Sequence, residues 1–184
     1  MTSSPQPDMP DEVDITRPSI ARVYDYLLDG KDNFAVDRAV AEKLMASNLE
    51  PKRLARVTRE FLVRTVGFAA ERGVGQFLDL GSGLPTSPSV HEVAREAIPG
   101  ARVAYVDNDP VVATHNRALI AVGDEVVTLQ ADVRAPDSVL GSAVVGRCLD
   151  FGRPVAVLLL GILHFLGDAD EPDGMIGRYR DALV

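Results

Sequence analysis

The sequence predicts an α/β fold in which a parallel sheet is covered by helices on both faces. From Val74 onward, short apolar segments alternate with segments of helical periodicity, which is the pattern of βα units. The segment FLDLGSGLP, residues 77–85, reads as a buried strand that runs directly into a tight glycine turn. With 184 residues, the chain is long enough for one domain with a substantial core.

Composition restricts the class of protein. The formal net charge of −8 argues against sequence-independent binding to nucleic acid, which depends on Lys and Arg. The single cysteine, Cys148, excludes an internal disulfide framework and fits a reducing compartment, so we expect a cytoplasmic protein. No apolar run approaches a membrane span in length, and no His/Cys cluster has zinc spacing. We therefore expect neither a membrane partner nor a metal.

The N-terminal part of the chain reads as a leader followed by a helical cap. Residues 1–14 are rich in proline and acids, so we predict a disordered leader there. Residues 15–73 are expected to form the cap, and residues 74–184 the sheet domain. A first helix should begin after Ser19 and end near Gly30, where glycine can take the left-handed conformation. Its expected apolar face is Ile20, Val23, Tyr24, Leu27 and Leu28, and a second helix from Asp37 should carry Val36, Val40 and Leu44 on one stripe.

A third helix is predicted to begin at Pro51 and to be closed by Gly73. Residues 51–72 contain six Lys or Arg against two Glu, a local charge of +4 that we interpret as a solvated outer face. Apolar residues at the 3.6-residue period predict the buried face of this helix, namely Leu54, Val57, Phe61, Thr65 and Phe68.

The βα units of the sheet domain follow in order. The helix after the first strand should have Pro88 at its first position and a capping box formed by Ser89 and Glu92. Asp109 is expected to cap the next helix, which Pro110 begins. The last strand is apolar on both faces, which is typical of an interior parallel strand. The predicted strands are residues 76–80, 101–107, 125–130 and 155–163.

Three of these four strands end in an aspartate, Asp79, Asp107 and Asp132. If the strands are parallel, the three carboxylates lie at one edge of the sheet. Asp107 follows Asp79 by one βαβ step, and a carboxylate there can accept both hydroxyls of a ribose. Asp132 could accept from an adenine amino group. The alternative is that strand-end aspartates cap helices, which explains Asp109 better than Asp107.

The glycine turn favours a cationic ligand over a phosphate. Gly81 and Gly83 are followed by Pro85, with no third glycine of a dinucleotide fingerprint and no lysine of a P-loop. Asp79 would repel a pyrophosphate and attract a cation. S-adenosylmethionine carries an ammonium and a sulfonium and no phosphate, so it is the cofactor that we predict. A turn with a purely structural role is the alternative.

Four segments together closely resemble a family of S-adenosylmethionine-dependent methyltransferases that was first catalogued as a domain of unknown function. These segments are FLDLGSGLPT, AYVDNDP, the acid at Asp132 and YDYLLDGKDNF, and the resemblance runs from about Asp14 to the C-terminus. It implies a Rossmann-like (class I methyltransferase) parallel sheet with an N-terminal helical cap, and it leaves the acceptor, which we expect to be a small molecule, unidentified. It also implies cofactor contacts from Asp79, Gly81 and Gly83 around the methionine part, from Asp107 at the ribose and from Asp132 near the adenine. The neighbouring residues Ser82, Asn108 and Val133 are further candidates for cofactor contacts.

Methyl transfer from a sulfonium is an in-line displacement that needs no metal, so the enzyme mainly aligns the reactants. His164, after the fourth strand, is our candidate for a base or for a group that positions the acceptor, although a packed histidine is the alternative. Four polar residues between the first two helices could close over the cofactor as a lid, or could form a buried helix-loop packing motif. They are Tyr24, Asp25, Lys31 and Asn33.

Methyltransferase sheets of this type usually contain seven strands, and we count four. We therefore expect a C-terminally truncated chain whose fourth strand has an open apolar edge that promotes self-association. Binding of the cofactor without catalysis is the main alternative function. A nicotinamide dehydrogenase is a second alternative, against which the missing third glycine and Asp79 both count.

Overall fold

The computed structural model describes residues 14–47 and 49–184, so nearly all of the expected leader lies outside the described residues. Helices α1 to α3 precede the sheet. The elements in chain order are α1 Ile20–Leu27, α2 Ala35–Met45, α3 Pro51–Glu71, β1 Gln76–Leu80, α4 Val90–Ala97, β2 Arg102–Asp107, α5 Pro110–Leu119, β3 Val126–Gln130, α6 Pro136–Leu140, α7 Ala143–Cys148, β4 Ala156–Leu158 and α8 Pro172–Asp181.

The four described strands form one parallel sheet in the order β3-β2-β1-β4. All five residues of β1 are buried, because this strand has neighbours on both sides and helices on both faces. Phe77 packs with α3 and α4 on one face, and Leu78 packs with α6, α7 and α8 on the other. The predicted Rossmann-like α/β class is confirmed, and the carboxyl ends of all four strands lie at one edge.

The strand predictions differ in accuracy. β1 occupies the predicted residues, and β2 and β3 each begin one residue later than predicted. The fourth strand was predicted too long, because only Ala156–Leu158 pairs with β1. The chain then turns at Gly161 (φ +72°) and forms a 3-10 turn over Leu163–Phe165. The helix α7 was not predicted.

The buried face predicted for α3 is wrong. Phe61 and Phe68 are about half exposed, and Leu54 is 63% exposed, whereas Leu62 is 7% exposed. The helix carries a second apolar stripe with the same period, and that stripe packs on α4 and the sheet. The alanines in it allow close approach to neighbouring elements. The buried residues of α3 are Ala55, Leu62, Val66 and Ala70.

A buried ion pair joins helices α1 and α2. Arg22 Nε lies 2.9 Å from Asp37 Oδ2, and both side chains are almost fully buried. The backbone amides of Ser19 and Phe34 donate to the same carboxylate at 2.9 and 2.8 Å. Asp37 therefore caps a helix that begins at Ala35, not at Asp37 as predicted.

Three smaller predictions for the cap are also corrected. Asp29, not Gly30, takes the left-handed conformation after α1 (φ +63°). Ile20 and Leu44 are exposed although both were placed on apolar faces. The space that a side chain at position 30 would need is filled by the carboxylate of Asp25. Val23 and Leu27, both predicted on the apolar face of α1, are buried and form a core with Ala41 and Ala55.

The predicted caps of two helices in the sheet domain are confirmed. Ser89 and Glu92 form the predicted capping box of α4, and Asp109 caps α5 by accepting from Val111 N at 2.8 Å. Pro88 precedes the cap of α4 and is not its first helical residue. Every helix in the part of the chain that the structure describes is too short or too polar to cross a membrane.

Candidate functional site

The glycine turn after β1 is pinned against β2. Gly81 (φ +71°) and Gly83 (φ +66°) both take left-handed conformations that other residues rarely adopt. The amides of Gly81 and Ser82 donate to the carbonyl of Val106 at 2.8 and 3.1 Å. A side chain at position 81 would collide with Ile162, but a Cβ at position 83 would meet no atom within 4 Å. The turn is therefore closed on its Gly81 side and open at Gly83.

Asp107, the last residue of β2, lies directly beside this turn. Its Oδ2 accepts from Gly83 N at 2.9 Å, and its Oδ1 accepts from Asp109 N at 3.0 Å. Burial raises the pKa of Asp107, while these amide bonds act in the opposite direction. Each carboxylate oxygen has a further lone pair and can accept another hydrogen bond.

Asp79 is buried in the α3/α4 layer of the fold and is only 5% exposed. It is the penultimate residue of β1, where it pairs in register with Tyr105 of β2 and Leu158 of β4. Burial raises the pKa of Asp79 to about 7, although the nearby Arg59 lowers it; the negative charge of Asp107 raises it further. This carboxylate is therefore poised to become fully ionised when a cation binds beside it.

Arg59 is a site residue that the sequence reasoning missed, because it was counted with the solvated charges of α3. Its Nη2 donates to the carbonyl of Thr86 at 2.6 Å and to that of Pro88. Its Nε is buried and has no hydrogen-bond partner among the described residues. The signal was its spacing, because position 59 continues the buried stripe formed by Ala55 and Leu62.

A cavity of about 10 Å³ lies behind the glycine turn, between Arg59, Asp79, Gly83 and Asn116. This volume holds about one water molecule. Asn116 is 1% exposed; its Nδ2 donates to Ser82 Oγ at 3.2 Å, and its Oδ1 has no partner within the described part of the chain. Sequence reasoning missed Asn116 too, because a lone asparagine in a helix carries no distinctive signal.

The residues expected near an adenine are occupied by other contacts. The carboxylate of Asp132 is paired with Arg134 (Nη2 to Oδ2, 2.5 Å), which lowers the pKa of Asp132. Arg134 also reaches Asp170 at 3.2 Å. The carbonyl of Val133 accepts from the Tyr179 hydroxyl at 3.0 Å. β2 separates this group from the glycine turn. Asn108, a candidate cofactor contact, is exposed after β2.

The four candidate lid residues make mostly local contacts. Asp25 Oδ2 accepts from Asp32 N at 2.9 Å and from Asn33 Nδ2 at 2.8 Å, which closes the loop after α1 on itself. The Tyr24 hydroxyl donates to the Ala55 carbonyl at 3.0 Å. These are the contacts of a packing motif. Lys31 is exposed.

His164 lies in the 3-10 turn after β4 and is exposed. Its ring contacts that of Phe165, with centroids 4.0 Å apart. Ile162, two residues earlier, abuts Gly81. The loop that carries His164 is therefore a neighbour of the glycine turn.

Comparisons with known proteins identify a matching family and similar solved structures. The model of a family described as S-adenosyl methyltransferase matches residues 6–184. The crystal structure of a candidate methyltransferase from Thermobifida fusca YX matches with a TM-score of 0.90 and 49% identity, over 94% of this chain and 65% of that one. A DUF574 family protein from Streptomyces avermitilis MA-4680 matches with a TM-score of 0.89 and 35% identity, over 94% of this chain and 67% of that one. Comparison with curated proteins found no match.

Proposed function

The chain belongs to the S-adenosyl methyltransferase family, and on this premise we propose that it transfers the methyl group of S-adenosylmethionine to a small-molecule acceptor. The observation that carries the proposal is the position of Asp107. It lies beside a glycine turn that is open at Gly83, at the carboxyl ends of β1 and β2, where ligands of such sheets bind.

The residues around the turn fit this cofactor chemically. Asp79 and Asp107 supply two carboxylates, and neither side chain forms an ion pair among the described residues. Carboxylates accept from ammonium and hydroxyl groups and repel phosphates. Asn116 Oδ1 adds a buried acceptor without a partner in the described chain. A ligand with an ammonium group and a ribose therefore suits these acceptors better than a dinucleotide, whose phosphates the carboxylates would repel.

We assign the cofactor-binding roles accordingly. Asp79 receives the ammonium group, and the spare lone pairs of Asp107 accept from the ribose hydroxyls, with Ser82 and Asn108 at the rim of this site. Asp132 and Val133 border the adenine, and Arg134 must release part of the carboxylate if Asp132 is to accept from the base. When bound, S-adenosylmethionine supplies a methyl group activated by the sulfonium.

On the acceptor side, His164 is the group that we propose for proton removal or for positioning the acceptor. Its loop touches the glycine turn through Ile162, which supports this assignment. Residues 15–73 act as a helical cap on the cofactor-binding part, residues 74–184, and we propose that Tyr24, Asp25, Lys31 and Asn33 border the entrance. The lone reduced Cys148 supports a cytoplasmic location.

Cofactor binding without catalysis is the second candidate function. The observation that favours it is the surroundings of His164, which contacts Phe165 and donates no orienting hydrogen bond to a carboxylate within the described residues. General bases are usually held by such a partner.

The test is calorimetric titration with S-adenosylhomocysteine and S-adenosylmethionine, together with thermal unfolding in the presence of NAD. We expect heat and stabilisation with both adenosyl ligands and none with NAD. Absence of binding by both adenosyl ligands would contradict the proposal. Transfer of a labelled methyl group to members of an acceptor panel then separates catalysis from binding alone.

A further inference from the structure

A cation and an anion from distant parts of the chain share the cavity behind the glycine turn. Arg59 comes from α3 and Asp79 from β1, and both line this cavity. They influence one another electrostatically, but no hydrogen bond joins the two side chains in the described structure. Arg59 keeps a buried Nε donor that has no partner among the described residues, and burial raises the pKa of Asp79 in spite of the nearby arginine. The Arg59 side chain can therefore still donate a hydrogen bond to a ligand, and the Asp79 carboxylate can still pair with a cationic group of that ligand.

The orientation of Arg59 is fixed before any ligand arrives. Its Nη2 is held by the carbonyls of Thr86 and Pro88, so one corner of the guanidinium is anchored to the loop after the glycine turn. The planar guanidinium presents its donors in a rigid fork that matches a carboxylate. Holding the fork in advance reduces the entropy that is lost when a carboxylate binds.

The ligand group that satisfies both residues is the zwitterionic end of an amino acid, which carries an ammonium and a carboxylate on one carbon. We propose that Arg59 binds the α-carboxylate of the methionine part of S-adenosylmethionine while Asp79 receives the ammonium group. This inference rests on the proposed function and adds a specificity-determining residue to it. The cavity has the volume of about one water molecule, so its wall at Leu84 and Pro85 must move outward on binding while the Thr86 and Pro88 carbonyls keep Arg59 in place.

The test compares two ligands that differ only in the carboxylate, S-adenosylmethionine and decarboxylated S-adenosylmethionine, by calorimetric titration of the full chain. We expect the wild type to bind S-adenosylmethionine at least about 10-fold more tightly, since a hydrogen bond to a charged group is worth roughly 1.5–3 kcal/mol. Arg59→Gln should weaken binding of S-adenosylmethionine by about 10- to 100-fold and affect binding of the decarboxylated ligand much less.

Arg64→Gln is the matched control. Arg64 lies on the exposed face of the same helix, and its one ion pair among the described residues is with Glu60, at 3.8 Å. This variant should leave the affinity for both ligands unchanged. Arg59→Lys keeps the positive charge but lacks the planar set of guanidinium donors. This variant should therefore lose part of the preference for S-adenosylmethionine over the decarboxylated ligand.

The possible outcomes separate this inference from the proposed function. If Arg59→Gln weakens both ligands equally, Arg59 only supports the loop and the inference is overturned. If the wild type binds both ligands equally well, the inference fails while the proposed function stands. If the wild type binds neither, the proposed function itself fails. If thermal unfolding shows that Arg59→Gln does not fold, Arg59→Lys decides the matter: a loss confined to S-adenosylmethionine supports the inference, and an equal loss overturns it.

Discussion

The backbone amide of Gly83 donates a 2.9 Å hydrogen bond to the carboxylate of Asp107, which fastens the glycine turn after β1 to the tip of β2. Two strands that are distant in sequence thus set the shape of the turn together. A change at Asp107 should therefore affect ligand binding both directly and through the turn.

Asp107→Ala should weaken the binding of S-adenosylhomocysteine by about 2 kcal/mol, the scale of hydrogen bonds made to a charged group. Asp109→Ala should instead lower the free energy of unfolding by about 1 kcal/mol, because Asp109 caps α5. Calorimetry and urea titration measure the two effects. If the two variants exchanged these phenotypes, the ribose role that we propose for Asp107 would be wrong.

Asp79→Asn should stabilise the fold at pH 8 and have little effect at pH 3.5. Above its ordinary pKa of 3.8 the unfolded carboxyl ionises, whereas the folded carboxyl stays protonated until the pH approaches about 7. The folded state therefore binds more protons in this window, and stability falls as the pH rises through it. Across the whole window, the contribution of Asp79 to the free energy of unfolding falls by about 4 kcal/mol. Urea titrations across pH 3.5 to 8 measure it, and a pH-independent difference would contradict the assigned cause.

Binding of S-adenosylmethionine should weaken as the pH falls from 7 to 5. The ammonium group requires an ionised Asp79, whose pKa in the free protein is about 7, so affinity should drop by up to about tenfold per pH unit. The charged or titratable groups that face Asp79 are Arg59 of α3 and Tyr105 and Asp107 of β2. Calorimetry in buffers of different ionisation enthalpy should detect proton release on binding at pH 6. Equal affinity at pH 5 and pH 7 would exclude Asp79 from this role.

Two leucines of α3 provide a matched test of which stripe is buried. Leu62→Ala should lower the free energy of unfolding by about 2–5 kcal/mol, because Leu62 lies in the core and is only 7% exposed. Leu54→Ala should cost less than about 0.5 kcal/mol, because Leu54 is 63% exposed. Urea titrations of both variants measure this difference. A larger loss at Leu54 would mean that its stripe is covered in solution.

Self-association remains a proposal. β4 pairs with β1 on one side, no described strand pairs with its other side, and the exposed stripe of α3 adds an apolar surface. Light scattering should show a mass that rises with protein concentration. If the exposed stripe of α3 causes the association, the double variant Leu54→Glu/Phe61→Glu should abolish this rise in mass. If the open edge of β4 causes it, the double variant should leave the rise unchanged. A monomer at all concentrations would contradict both.

The features that the sequence determined by itself are local ones. β1 and its glycine turn, the Ser89–Glu92 capping box and the Asp109 cap all depend on residues a few positions apart. Their hydrogen bonds and backbone angles are satisfied within one turn or one strand, so the pattern alone specifies them.

The tertiary structure determined the features that depend on contacts between residues far apart in the sequence. The two apolar stripes of α3 have the same period, and only packing on α4 selects the one with Leu62 and so brings Arg59 inward. Asn116 lines the site because α5 lies against the glycine turn. Asp132 was expected to accept from an adenine amino group, but in the structure its carboxylate is paired with Arg134. Burial and pairing are properties of surfaces brought together by the fold, and sequence periodicity does not identify the surface that will cover a given residue.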